Sequence, residues 1–194
     1  MNLVERAKNI VLQPSQEWKV IDAEPHTVQD LYTQYVMILA AIPAVCGFIG
    51  LSLIGIGVFG ATYRLPIAAG VAHMVVSYIT SLGCVYVLAL IIDALAPTFG
   101  AQKNFIQALK VSAFMPTPAW LAGVFTLIPS LGIIGALLGL WSLYLLYVGL
   151  PLLMKPAQDK AVPYLAVVII AAIVLFVVIG AVVGLTMPGP VRGF

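Results

Sequence analysis

The sequence predicts an all-α, polytopic membrane protein with five transmembrane helices and a short N-terminal amphipathic helical segment. Three observations carry that prediction. Of the 194 residues, 62% are hydrophobic and only 8% charged, whereas a soluble domain of ordinary composition is about a quarter charged. Five stretches reach the roughly 20 apolar residues needed to cross about 30 Å of hydrocarbon: Tyr35 to Phe59, Ile67 to Ile92, Ile106 to Ile128, Leu131 to Met154 and Tyr164 to Met187. The connections between them are too short to hold a soluble domain, and Pro129-Ser130 makes the third and fourth spans antiparallel neighbours.

The chain divides into residues 1–30, a cytoplasmic or interfacial segment, and residues 31–190, the membrane domain. In the first segment Leu3, Val4, Ala7, Ile10 and Val11 form one apolar stripe among Asn2, Glu5, Arg6, Lys8 and Asn9. That spacing is one face of a helix, which Pro14 ends. Ser15 opens a second short helix carrying Trp18 and Ile21, closed by Pro25. Thr27 and Asp30, three residues apart, read as a capping box that opens the helix leading into the first span. An amphipathic helix beside a bilayer is expected to lie in the interface, with docking of a cytoplasmic partner as the alternative. The polar opening lacks the short apolar core and cleavage site of a signal peptide, so the first span is expected to be retained.

Orientation follows from basic residues. With five spans, Arg6, Lys8, Lys19, Lys103, Lys110, Lys155 and Lys160 share one side, while Arg64 and Arg192 lie on the other. Positive charge stays inside, which puts the N-terminus in the cytoplasm and the C-terminus in the periplasm or outside the cell. The small net charge of +2 is scattered, so nucleic acid is not an expected partner.

Polar groups inside a membrane are costly and therefore candidates for function. His73, Ser77, Thr80, Ser81 and Cys84 recur on one face of the second span and should point into the bundle, because turning them to lipid would strand their hydrogen-bonding groups. They read either as interhelical packing contacts or as a polar path for a solute, a proton or a lipid headgroup. No metal or other cofactor is expected, since His73 has no second His, Asp or Glu at ligand spacing. Asp93 ends the second span and Lys110 lies about 6 Å inside the third, so they form a candidate interfacial pair, or Lys110 snorkels to the headgroups. Cys46 and Cys84, far apart in apolar runs, read as small packing residues.

The third span is interrupted by Pro116 and Pro118, which displace the carbonyls of Ser112 and Phe114 from the helical ladder. In lipid those carbonyls need another partner. Counting outward from Pro129-Ser130 sets Ser112 level with Tyr147, Pro116 with Tyr144, and Trp120 with Trp141. The expectation is that a Tyr144 or Tyr147 hydroxyl repairs the break while the two tryptophans pack near mid-bilayer. Gly135 with Gly139, and Gly180 with Gly184, are small-residue pairs that allow close helix approach within the chain or between copies.

No catalytic residues are expected. The sequence holds no HExxH, GxSxG or Walker loop, and no pair of intramembrane aspartates, so it is not expected to be an enzyme.

Two blocks carry a family resemblance. Asp30-Leu31-Tyr32 runs into Met37-Ile38-Leu39-Ala40-Ala41-Ile42-Pro43-Ala44-Val45-Cys46. A second block runs from Thr117-Pro118-Ala119-Trp120 through Ser142-Leu143-Tyr144-Leu145-Leu146-Tyr147-Val148-Gly149-Leu150-Pro151 to Lys155 and Asp159-Lys160-Ala161. Together they resemble the bacterial branch of the Yip (Ypt-interacting protein) family. The resemblance implies five spans, a cytoplasmic N-terminus and a place in the bacterial inner membrane. Eukaryotic members act with Rab-type GTPases, but their Asp-Leu-Tyr continues Gly-Pro where this chain has Thr33-Gln34, and their N-terminal region is much longer. The GTPase role is therefore not carried over.

The expected function is that of a non-enzymatic membrane scaffold working through lipids, its own copies or another membrane protein. The alternative is a permeation or lipid-translocation protein. A dry, tightly packed interior favours the first, and a cavity lined by His73, Ser77 and Thr80 favours the second.

Overall fold

The computed structural model describes residues 2–58, 61–128 and 131–186. The Pro129-Ser130 turn, Phe59, Met187 and Arg192 lie outside the described residues. Apart from one small ribbon the described chain is helical.

Helix α1 (Leu3–Leu12) starts where the Asn2 side chain accepts from the Glu5 amide, which satisfies one of the free donors of a first turn. It stops before Pro14, which begins α2 (Pro14–Ala23) at a position needing no amide hydrogen. The predicted capping box is present. Thr27 and Asp30 exchange backbone and side-chain bonds at the start of α3 (Val28–Leu31). From there a π-helical turn (Tyr32–Val36), α4 (Met37–Phe48) and a second π-helical stretch (Ile49–Ile54) make one continuous helix. It thus begins seven residues before the expected span and ends at Gly55, whose φ of 91° only glycine adopts freely. Beyond it Ile56–Val58 pairs antiparallel with Ala61–Tyr63, as β1 and β2. The span expected from the sequence, Tyr35 to Phe59, overruns the helix into the first strand of this ribbon.

Helix α5 (Ile67–Leu95) follows Pro66 and is 29 residues long, about 44 Å at 1.5 Å per residue. A 3-10 turn (Ala96–Phe99) and the left-handed Gly100 close it. The expected third span is not one helix. It divides into α6 (Phe105–Phe114), α7 (Thr117–Ala122) and a 3-10 segment (Gly123–Leu127), parted at Met115-Pro116. Helices α8 (Gly132–Met154) and α9 (Ala161–Gly184) complete the bundle. Among the described residues, four helical stretches are long and apolar enough to cross a membrane: Val28–Ile54, Ile67–Phe99, Leu137–Met154 and Ala161–Gly184.

The bundle has two unlike ends. At the N-terminal end α1 and α2 fold back onto α6, α7 and α8, and the fully buried residues concentrate there, among them Ile10, Trp18, Ile21, Tyr35, Phe114 and Leu150. At the ribbon end α9 and the first half of α5 present exposed residues such as Val71, Val75, Ile173 and Val177, as helix surfaces facing lipid do.

Candidate functional site: a charged clasp and an intramembrane cavity

The apolar stripe of α1 packs on protein. Ala7 and Ile10 are buried and Leu3 and Val11 partly so, while Val4 is exposed. Trp18 of α2 sits in a notch at Gly149, where a Cβ would come within 2.5 Å of its ring, and stands edge-on to Phe114 at 6.3 Å. The Trp141 indole donates to the Val11 carbonyl at 3.2 Å, one of the acceptors a helix end leaves free.

Charge fixes this hairpin. Arg6, only 6% exposed, donates to Glu17 Oε1 at 2.5 Å and to both carboxylate oxygens of Glu24 at 2.6 and 2.5 Å. A guanidinium suits this role because its planar fork serves two carboxylates at once. Lys110, only 3% exposed, donates to the carbonyls of Ile21 at 2.8 Å and Glu24 at 2.7 Å. It thereby places a cation on the negative C-terminal end of α2. Asp22 takes the Gln107 amide at 2.7 Å and Lys155 at 3.1 Å. These facts correct two expectations. Lys110 does not snorkel to the surface, and it is not paired with Asp93, whose Oδ1 is buried without a hydrogen-bond partner among the described residues.

The proline break is repaired differently from the expectation. Tyr144 and Tyr147 are 41% and 57% exposed, and neither hydroxyl bonds to another group among the described residues. The Phe114 carbonyl accepts instead from the Thr117 hydroxyl at 2.7 Å, and Thr117 Oγ1 lies 2.7 Å from the buried Tyr35 hydroxyl. With the threonine proton committed to Phe114, the tyrosine is the donor of the second bond. Ser112 is buried and donates to the Leu109 carbonyl at 3.1 Å. The two tryptophans separate as well: Trp120 is buried in the bundle, and Trp141 is turned toward α1 and packs on Tyr144 at 4.9 Å.

The polar stripe of α5 does face inward, and two cavities lie along it. The first, about 400 Å³, is lined by His73, Ser77 and Ser81 together with Pro43 and Gly47 of α4 and Thr126. The second, about 290 Å³, includes Ser81, Cys84 and Ser112, with Pro116 at the start of α7, Trp120 in its middle and Phe176 of α9. Pro43 and Ser81 belong to both. Thr80, expected among the lining residues, borders neither.

The stripe's polarity is largely spent locally. Ser77, Thr80 and Ser81 donate to the carbonyls of Met74, Val76 and Tyr78, within their own helix, as hydroxyls in apolar helices do. His73 Nδ1 lies 2.9 Å from Thr186 Oγ1, and the Thr186 proton goes to the Val183 carbonyl at 2.5 Å. His73 Nδ1 is therefore the donor, which leaves Nε2 as the ring's acceptor.

Close approach falls at glycines other than the expected pairs. A Cβ at Gly139, Gly180 or Gly184 meets nothing within 4 Å among the described residues, and at Gly135 only the Ala122 carbonyl at 3.8 Å. By the same measure the tight contacts are Gly70 on the Ser52 hydroxyl, Gly50 on the Thr126 carbonyl at 2.0 Å, Gly149 on Trp18 at 2.5 Å and Gly123 on Pro43 at 2.6 Å. Among the described residues, no three His, Cys, Asp or Glu side chains are grouped to hold a metal ion.

The Yip1 domain, as a family, matches residues 8–179. The curated relatives include Inner membrane protein YohC of Escherichia coli strain K12, 28% identical over 155 residues, which covers 78% of this chain and 80% of the relative. The same protein from a second Escherichia coli strain, O6:H1, matches to the same extent. No solved structure matches. The matched stretch runs from α1, through the proline break and both cavities, into α9, and the chain belongs to the Yip1 domain family of membrane proteins.

Proposed function

We propose that this protein is a non-enzymatic scaffold of the bacterial inner membrane that acts by binding lipids, its own copies or another membrane protein. The observation that carries the reading is the clasp. Arg6, Glu17, Glu24, Asp22, Lys110 and Lys155 are engaged with one another or with backbone, an arrangement that holds a shape and offers no group to a reaction. The location draws on the relative, whose name describes an inner membrane protein. Five crossings with a cytoplasmic N-terminus fit the path of the broken segment. Thr117 meets Tyr35, Gly123 meets Pro43 and Thr126 meets Gly50, so this segment runs alongside the first helix and in the same direction, as a third crossing must. Reporter fusions after Lys103, after Pro156 and at the C-terminus test the topology; a cytoplasmic C-terminus overturns it. Crosslinking in native membranes tests the scaffold, and failure to recover either a partner or a self-contact counts against it.

A second reading, permeation or lipid translocation, is favoured by the cavity beside His73. Reconstituted protein would then move solute or lipid faster than empty liposomes, and His73→Ala would slow it. Rates equal to those of empty liposomes remove this reading.

A further inference from the structure

We propose that the two cavities along α5 form one binding site for a lipid acyl chain. They share Pro43 and Ser81 and extend along α5 from His73 to Leu88, about 22 Å at 1.5 Å per residue. That is most of the roughly 30 Å depth of a bilayer's hydrocarbon. Water is a poor occupant, because it needs two to four polar partners and the lining is mostly apolar, with the Ser77 and Ser81 hydroxyls, whose protons go to their own helix, left as acceptors only. An apolar cavity of about 150 Å³ already takes up a benzene-sized hydrocarbon. What matches is a narrow, flexible hydrocarbon chain.

The second cavity reaches the bundle surface at Phe176, a lining residue that is 75% exposed. A chain can enter there from the bilayer between α5 and α9. The other end is bordered by His73.

The test uses the full-length protein in vesicles of a phospholipid whose acyl chain carries a diazirine, with the adducts mapped by peptide mass spectrometry after irradiation. Adducts are expected at Ser77, Ser81, Cys84 and Leu88 and at Met115 and Trp120. Ser81→Trp, which plugs the shared wall, should lower them about tenfold while labelling of the exposed Val174 and Val177 stays constant. Ala172→Trp plugs the second cavity from α9 and serves if Ser81→Trp does not fold. Adducts confined to exposed residues, or cavity adducts unchanged by both tryptophans, overturn the proposal. A diazirine fatty acid offered alone separates free fatty acid from phospholipid as the source of the chain. Labelling without flux retains the site and removes only the permeation reading, whereas flux without labelling removes the site.

Discussion

The N-terminal end and the ribbon end of the bundle use the same apolar helices in opposite ways. At the N-terminal end, side chains from α2, α4, α6 and α8 interlock around Trp18, Tyr35 and Phe114, and the charges there have partners on several sides. At the ribbon end, the α5 hydroxyls bond to their own helix, glycines of α8 and α9 face open space among the described residues, and the interior holds cavities. The charged and aromatic packing is therefore concentrated at one end, while the cavities run along α5 from the other toward it. The long helices that run through both keep them in one structure.

Substitutions that separate the two ends should fall in a clear order. Arg6→Ala leaves Glu17 buried without its cation and should destabilise by about 3–5 kcal/mol, read as a lowered thermal midpoint in detergent. Glu17→Gln in the same background should recover part of the loss, and an unchanged midpoint for Arg6→Ala would mean the clasp does not hold the hairpin. Gly149→Ala drives a methyl into the Trp18 ring and should cost about 1–3 kcal/mol, with increased protease access to α1 and α2 as a second readout. Thr117→Val removes the hydroxyl that serves the Phe114 carbonyl and accepts from Tyr35, for about 1–2 kcal/mol. The smallest effect is expected at the ribbon end. His73→Ala gives up one partly buried hydrogen bond and should stay within about 0.5 kcal/mol. A loss as large as that of Arg6→Ala would erase the contrast between the two ends.

What the sequence made legible was whatever local pattern governs. The Thr27–Asp30 cap is a three-residue signal and is present. The inward face of His73, Ser77, Ser81 and Cys84 follows from helical period alone, and the cavities lie on it. The four long apolar helices announce themselves by composition. Other features depend on partners far along the chain. Nothing near Trp18 says that it fills a notch at Gly149, and nothing near Pro118 says that Tyr35, 82 residues from Thr117, will stand behind the repair. Counting depth along the sequence could not give the direction of Tyr144 and Tyr147, which is outward. The Ile56–Tyr63 ribbon was hidden because a short apolar run has the same composition as the tail of a span. The π-helical turns of the first helix left no mark in its apolar pattern.

The docked N-terminal hairpin has a consequence for how the chain is made. The indole that bonds to Val11 belongs to Trp141, 130 residues later. At synthesis rates of about 5–20 residues per second, that tryptophan reaches the ribosome's active site on the order of ten seconds after Val11. Until then, Ile10, Trp18 and Ile21 have none of their final neighbours in α8. The membrane surface is the nearest apolar shelter for a freshly made amphipathic helix. The hairpin therefore cannot complete its packing until α8 has been made.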